Sequence, residues 1–429
     1  MTWENEIDYS YADKPHRASR IFTFPLWLRS TRDLNTIVSA KMEEQVACKL
    51  GVDMVRICRQ RDLVLVEVQL PKQYHKPLLA GSLQRKGGTW ITLGKTAQGG
   101  LVHINMAGSL YPHALVGATT GGGKTCAMQL MLWEMALQNS PDDIHLLVID
   151  GKGGVDWNGK GEYKWRDFGK LPHLLHPIIA DPVEAFAALA WLLREAKRRE
   201  DSGQVHPRIF VFIDEIRELL AQSGGKDGDA ALAIQRLTSI GRGLGIHVII
   251  ATQHPTSEVL GGSIAKANLP LRLAGRVMGA PASVLVTGQK GLNAHRLYGE
   301  GDFLADGHRL QVAYLDERHM TKLPRNGHDP HHIDLSLDLA RALGVAKHGS
   351  APTLEAAQVA WALWDFFARK DQINQPSAKA VRDHFGGGMD GARAVRDFAQ
   401  QLAAQFDALG MGLRVTGVTP NLGAIAPAM

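Results

Sequence analysis

The chain has 429 residues, 45% of them apolar, with 48 Lys and Arg against 43 Asp and Glu and a net charge of +5. That length holds two or three domains and a large core, no apolar run approaches a membrane span, and the acidic, polar start does not read as a signal peptide. Cys48, Cys58 and Cys126 form neither a paired disulfide framework nor a metal spacing, which points to a reducing cytoplasm, and the mild positive charge permits a nucleic-acid partner without demanding one.

Residues 1–34 mix aromatics with Arg17, Arg20, Arg29 and Arg32. They read as an arm that folds on another surface or as a solvated tail. Leu34, Ile37, Val38, Met42, Val46 and Leu50 recur at helical spacing, and Gly51 suits the stop. Residues 52–57 and 63–68 alternate apolar and polar, which predicts a hairpin around 59–62. A second hairpin is expected to join 90–93 to 101–104 through the glycine-rich 94–100. Residues 35–110 are therefore expected to form a small α/β module ahead of a larger core at 111–322.

That core opens on an apolar run, 113–116, which predicts a buried strand. Gly117-Ala118-Thr119-Thr120-Gly121-Gly122-Gly123-Lys124-Thr125 follows, then a helical pattern through Met128, Leu130, Met131, Trp133 and Met135. Strand, glycine loop and helix make a phosphate-binding loop. Glycines let backbone N–H groups curl around phosphates where a side chain would clash, and the helix N-terminus adds positive partial charge. Ala118, Thr119, Thr120, Gly121, Gly122, Gly123, Lys124 and Thr125 are the candidate nucleotide-binding residues. Lys124 would neutralise the β- and γ-phosphates and Thr125 would ligate Mg²⁺, so ATP and Mg²⁺ are the expected cofactors. One departure is visible: Ala118 stands where the pattern G-x-x-x-x-G-K-[ST] begins with glycine. Cys126 reads as a small buried residue rather than a redox switch.

Strands and helices then alternate. Residues 144–149 form an apolar run ending at Asp150. Asp181-Pro182-Val183-Glu184 opens a helix with a cap, proline in the first turn and a reciprocal glutamate. Residues 209–213 end at Asp214-Glu215, 246–251 end at Thr252-Gln253, and 271–277 make a further strand. Five buried strands with intervening helices predict an α/β fold, a parallel sheet covered on both faces with ligands beyond the strands' carboxyl ends. There Asp214 would organise Mg²⁺ and Glu215 would orient and polarise the attacking water. Gln253 would sense the γ-phosphate or cap the strand end as a plain amide. Glu218 reads as a solvated helix charge. A phosphoryl-transfer kinase would share the loop but needs an acceptor pocket and an arginine-bearing lid, and neither stands out.

Residues 323–350 read as a linker. Its His328-Asp329-Pro330-His331-His332 run reads as polar linker, because no cysteine or spaced carboxylate set completes a metal site. Residues 351–429 are expected to be a helical domain with helices at 354–368, 377–385 and 392–409, a count that suits a winged helix or helix-turn-helix. Basic and acidic residues balance there, which favours packing or oligomerisation over DNA contact.

The ordered motifs are more specific than the loop alone. Tyr111-Pro112-His113-Ala114-Leu115-Val116 leads into the loop, and Leu171-Pro172-His173-Leu174-Leu175 and Val211-Phe212-Ile213-Asp214-Glu215 follow. Gly245-Ile246-His247-Val248-Ile249-Ile250-Ala251-Thr252-Gln253-His254-Pro255 then precedes Ile264-Ala265-Lys266-Ala267-Asn268-Leu269-Pro270-Leu271-Arg272, and 299–303 fits a closing segment. Over residues 41–315 the chain resembles the motor of the FtsK/SpoIIIE family of double-stranded DNA translocases. The resemblance implies a RecA-like ATPase that assembles as a hexameric ring, a homo-oligomer around duplex DNA. It places the nucleotide between subunits, with an arginine finger from the neighbour. Arg272 matches that finger by position, with Arg242 as runner-up. Three departures stand out: the absence of a membrane-spanning N-terminal domain, Asp150-Gly151-Lys152 in place of the usual Asp-Pro-Lys, and no clear match to the DNA-reading winged-helix end. They suit a soluble plasmid- or phage-type mover of DNA, as in conjugation. The expected activity is ATP-driven translocation of duplex DNA in the cytoplasm. The alternatives are a secretion ATPase like EccC, against which a single motor copy argues, and a nucleotide-gated regulatory protein. Lys152, Lys160, Lys164, Arg166 and Lys170 interleave with Trp157, Tyr163 and Trp165, as a pore loop tracking phosphates or an insertion outside the ring would.

Overall fold

The computed structural model describes residues 9–324 apart from 12–15, 18–19, 29–33, 61–62, 97–98 and 161–162, together with 333–335, 398–400, 402–406, 413–416 and 424–427. Two compact units divide the chain, one of Met1–Leu174 with Val205–Pro330 and one of Leu175–Gln204 with His331–Met429.

The first unit begins with an antiparallel sheet of β1 (Tyr9–Tyr11), β2 (His16–Arg17), β3 (Ile21–Leu28), β4 (Val55–Gln60) and β5 (Leu63–Gln69), in the order β1-β3-β5-β4 with β2 on β3. Between β3 and β4 come the short α1 (Leu34–Ile37) and α2 (Ala40–Leu50). Ser39 caps α2, accepting a hydrogen bond from the Met42 N–H at 3.3 Å, and Gly51 ends it at φ 61°. Ile37 and Val46 are buried with Val55, Ile57, Val64 and Val66 of the hairpin β4–β5. The pairing of helix stripe and strand face is the one their spacing predicts.

The second sheet has nine strands in the order β7-β6-β14-β13-β12-β8-β11-β10-β9. Its parallel half is β12 (Leu271–Ala274), β8 (Ala114–Gly117), β11 (Ile246–Thr252), β10 (Arg208–Asp214) and β9 (Ile144–Asp150). These are the five buried strands expected. The antiparallel half is β13 (Asp302–Ala305), β14 (His308–Val312), β6 (Trp90–Thr96) and β7 (Leu101–Asn105). The sheet is therefore mixed, and the hairpin of β6 and β7, expected in the small module, extends the large sheet instead. The cause is the free edge of β14, which β6 pairs. Gly94 permits that approach, since a Cβ there would lie 1.9 Å from the Gln311 carbonyl oxygen.

The chain crosses from β8 to the far edge at β9, returns through β10 and β11, and then passes to β12 on the other side of β8. The carboxyl end of β8 is thus the point where strand order reverses, the usual seat of a ligand. Helix α3 (Lys124–Gln138) starts there and is buried over most of its surface. Helices α5 (Ile216–Ala221), α6 (Asp229–Ile240), α7 (Ser257–Leu260), α8 (Gly262–Lys266) and α9 (Gly279–Thr287) complete the connections.

In the second unit, α4 (Pro182–Ser202) starts at Asp181, whose Oδ1 accepts the Val183 and Glu184 N–H groups at 2.9 and 3.2 Å. Glu184 Oε1 lies 3.7 Å from His176 Nε2. Helix is present at 398–400 and 402–406, within the expected 392–409, and buries Phe398, Leu402 and Phe406. Strands β15 (Leu413–Thr416) and β16 (Ala424–Pro427) pair antiparallel, so this unit is not helical alone. The helices expected at 354–368 and 377–385 and the His328–His332 run lie outside the described residues. Among the described residues no helix is long and apolar enough to cross a membrane.

Candidate nucleotide site

The loop between β8 and α3 is shaped by glycine. Gly121 and Gly123 have φ of 76° and 93°, in the left-handed region that side chains avoid. A Cβ on Gly123 would lie 2.7 Å from the Gly301 nitrogen, and one on Gly122 would lie 2.8 Å from the Ala118 Cβ. The Ala118 departure has a structural answer. Its methyl faces Gly122 and Gly275, and a Cβ on Gly275 would sit 2.7 Å from it. The extra carbon at 118 occupies space that two glycines leave open.

Backbone hydrogen bonds hold the loop from outside. The Thr119 N–H donates to the Arg276 carbonyl at 2.8 Å, and the Glu300 and Gly301 N–H groups donate to the Gly121 and Gly122 carbonyls, each at 3.1 Å. Glu300 also pairs with Arg20, from the arm ahead of β3. Sequence reasoning missed Arg20, Arg276 and Glu300 at this site. Arg276 follows the carboxyl end of β12, and that placement was the available signal.

Lys124, Asp150, Asp214 and Glu215 are all buried. The Lys124 ammonium donates to Asp214 Oδ1, and the Thr125 hydroxyl donates to Asp214 Oδ2 at 3.0 Å. Burial, then the like charge of Lys152, pulls the Lys124 pKa down to about 8. Asp150 lies beside Asp214 in strand register. Its Oδ1 accepts the Lys152 N–H at 2.9 Å, while its buried Oδ2 has no hydrogen-bond partner among the described residues. Burial raises the Asp150 pKa. Gly151 occupies the place of the usual proline for two reasons. Its N–H donates to the Asp214 carbonyl at 2.9 Å, and a Cβ there would meet the Glu215 carbonyl oxygen at 2.7 Å.

Glu215 has φ 56° and ψ 67°, a left-handed conformation costing on the order of 1–2 kcal/mol for a residue with a side chain. Its carboxylate accepts the Thr252 hydroxyl at 3.1 Å and the Gln253 N–H at 3.0 Å. Gln253 Oε1 in turn accepts the Thr120 hydroxyl at 2.9 Å, so its side chain reaches the phosphate loop. The structure thus brings Thr120, Lys124, Thr125, Asp214, Glu215 and Gln253 together at the ends of β8, β10 and β11.

It does not bring Arg272 there. Arg272 lies within β12, in register with Leu115, and its Nη1 donates to the Leu285 carbonyl at 3.1 Å. Burial lowers its pKa. Arg242 is exposed in the turn Gly241–Leu244.

The segment 151–170 departs from its expected exposure. Trp157 is fully buried, and Arg166 is 7% exposed. The Arg166 guanidinium lies over the rings of Tyr163, Trp165 and Tyr314 at 4.3, 4.8 and 5.3 Å. Arg166 is therefore a staple and unavailable to track phosphates, while Lys152, Lys160, Lys164 and Lys170 stay exposed.

A cleft of about 710 Å³ runs along Thr120, Gly123, Lys124, Thr125, Gln253 and Glu300. Its floor offers backbone at glycine and one buried ammonium, which suits a phosphate chain. The Thr125 hydroxyl and the Asp214 carboxylate offer the oxygen donors a hard divalent cation takes. The orphaned Asp150 oxygen suits a water of its shell.

The chain is similar in sequence to known proteins. Residues 82–203 match the FtsK/SpoIIIE family model. The DNA translocase FtsK of Leptospira interrogans serogroup Icterohaemorrhagiae serovar copenhageni (strain Fiocruz L1-130) is 31% identical over 332 residues, covering 68% of this chain and 33% of that protein. The DNA translocase FtsK of Brucella melitensis biotype 1 is 30% identical over 313 residues, covering 60% of this chain and 36% of that protein. The chain spans about a third of the length of these curated relatives. Among solved structures, the pCW3 conjugation coupling protein TcpA, a monomer with ATPγS, is similar at a TM-score of 0.47 and 20% identity, covering 72% of this chain and 89% of that one.

Proposed function

We propose that this chain, which carries an FtsK/SpoIIIE family domain, is an ATPase that translocates duplex DNA as a hexameric ring. The observation that carries the reading is one carboxylate, Asp214, receiving both Lys124 and Thr125 of the phosphate loop while Glu215 stands beside it.

Lys124 turns from Asp214 to the β- and γ-phosphates when nucleotide enters, exchanging one anionic partner for another. The backbone of Gly121–Gly123 lies against the phosphate chain without side chains in the way. Thr125 and Asp214 would hold Mg²⁺, which would supply positive charge against the phosphates. Glu215 orients the attacking water and takes its proton. Two hydrogen bonds, from Thr252 and Gln253, fix its carboxylate, so it is aimed before substrate arrives. Gln253 links that carboxylate to Thr120 and registers whether the γ-phosphate is present. Arg272 of a neighbouring subunit serves as the arginine finger, which requires it to leave the Leu285 carbonyl in the ring. Exposed Lys160 and Lys164 carry part of the contact with the DNA backbone.

Turnover with and without duplex DNA tests the reading. DNA of any sequence should stimulate hydrolysis, with stimulation falling steeply as salt rises, because every phosphate contact contributes about −0.9 to the slope of log affinity on log salt. An ATPase indifferent to DNA at low salt but stimulated by a protein or peptide would replace DNA with a protein substrate.

A further inference from the structure

We propose that Trp157 is a positioning residue for Asp214, holding that carboxylate in place when Mg²⁺ and nucleotide are bound. The inference rests on the reading of Asp214 as the cation-organising carboxylate.

Among the described residues three side chains donate to Asp214: Lys124 to Oδ1, Thr125 to Oδ2 at 3.0 Å, and the Trp157 indole N–H to Oδ2 at 3.3 Å. Two of these have other work in the loaded site. Lys124 goes to the phosphates, and Thr125 must turn an oxygen lone pair toward the cation. The indole differs in kind. It carries one donor, no acceptor and no proton it can lose near neutral pH. It cannot rotate into a ligand or switch partners, so it remains a fixed hydrogen bond on Asp214 after the others leave.

The indole is anchored on two sides. Its ring packs between Phe168 and Phe212, with centroids 5.7 and 6.3 Å away, and Phe212 belongs to β10, the strand that ends at Asp214. The residue before it is tied to α3, since Gln129 Nε2 donates to the Asp156 carbonyl at 2.7 Å. The segment closes on itself through the Phe168 N–H to the Trp157 carbonyl at 2.9 Å and the Gly159 N–H to the Arg166 carbonyl at 3.1 Å. The stacked Arg166 holds the far strand of this closure. Trp157 is therefore set by the two elements that also set Thr125 and Asp214. The same segment presents Lys160 and Lys164 at its exposed tip.

The test titrates Mg²⁺ against binding of a fluorescent non-hydrolysable ATP analogue, so that it reads loading and not turnover. Trp157→Phe keeps the ring and removes the N–H. It should raise the Mg²⁺ concentration for half-maximal binding several-fold, roughly the cost of fixing one otherwise free side chain, and leave analogue binding without Mg²⁺ unchanged. Trp157→His, which keeps a ring N–H, should recover part of the loss. Asp214→Asn, run in parallel, should shift the Mg²⁺ requirement further. If Asp214→Asn shifts it and a folded Trp157→Phe does not, the positioning role is refuted while the site stands. If Asp214→Asn leaves it unchanged, the reading of the site itself fails. Should Trp157→Phe not fold, 5-fluorotryptophan-labelled wild-type protein supplies the second measurement. The buried resonance that moves in Asp214→Asn must then keep its indole N–H protected from solvent exchange on addition of Mg²⁺ with analogue, and loss of that protection refutes the proposal.

Discussion

Acid should destabilise this protein through His113, and the structure sets the size of the effect. His113 is fully buried just ahead of β8, and its Nδ1 accepts the Val248 N–H at 3.0 Å. The neutral ring must therefore carry its proton on Nε2, which is buried with no partner among the described residues. A second proton would go to Nδ1 and face the Val248 N–H donor to donor. Burial, then the nearby His247 and Arg242, pushes the His113 pKa from 6.5 down to about 3. The unfolded chain therefore takes up a proton near pH 6.5 that the folded chain refuses until about pH 3. Stability is complete above pH 6.5 and falls as pH drops through the window between those values. At pH 5, one and a half units into it, the loss is about 2 kcal/mol at 1.36 kcal/mol per unit. Urea unfolding at pH 7.5 and pH 5 would measure it, with His113→Asn as the comparison, since the Asn carbonyl can accept from Val248 and does not titrate. The variant should lose about 2 kcal/mol less than wild type between those pH values. Equal losses would refute a neutral, proton-refusing His113.

Glu215→Gln should bind ATP with near wild-type affinity and turn over about 10²- to 10⁴-fold more slowly, because the Thr252 and Gln253 hydrogen bonds can be kept by an amide; loss of nucleotide binding instead would make Glu215 structural. Gly123→Ala, which places a methyl 2.7 Å from the Gly301 nitrogen at φ 93°, should weaken ATP binding at least tenfold by calorimetry, from a left-handed penalty of about 1–2 kcal/mol before any overlap. Arg272→Ala should keep ATP binding and cost on the order of 10³-fold in hydrolysis; mixed with Glu215→Gln protein it should regain activity, and no rescue in mixed rings would count against a role across subunits. Charge removal at Lys160 and Lys164 together should flatten the salt dependence of DNA-stimulated turnover by up to about two units of slope, and an unchanged slope would take this tip off the DNA.

Local chemistry made much of this legible in the chain. The runs before Gly117, Asp150, Asp214 and Thr252 are apolar because parallel strands are covered on both faces, and the last three stop where a polar residue reaches the ligand end. The hairpin of β6 and β7 was legible as a hairpin but not as part of the larger sheet. Its own residues carry no record of the edge on β14 that it pairs. Arg166 and Trp157 misled for a different reason. Basic residues between aromatics fit a nucleic-acid groove and an internal staple equally well, and only burial tells them apart. Ala118 looked like a blemish until Gly275, far along the chain, proved to face its methyl.

The outward hydrogen bonds of the phosphate loop bear on the translocation proposed above. Thr119 is tied to the end of β12, and Gly121 and Gly122 to the turn entering β13. A loop clamped to both flanks loses little conformational entropy when nucleotide arrives, so affinity is not spent on ordering it. The same clamping removes the loop as a moving part. In the motor proposed above, displacement that follows hydrolysis would have to appear elsewhere, in the sheet moving as a body, with the phosphate loop as the fulcrum.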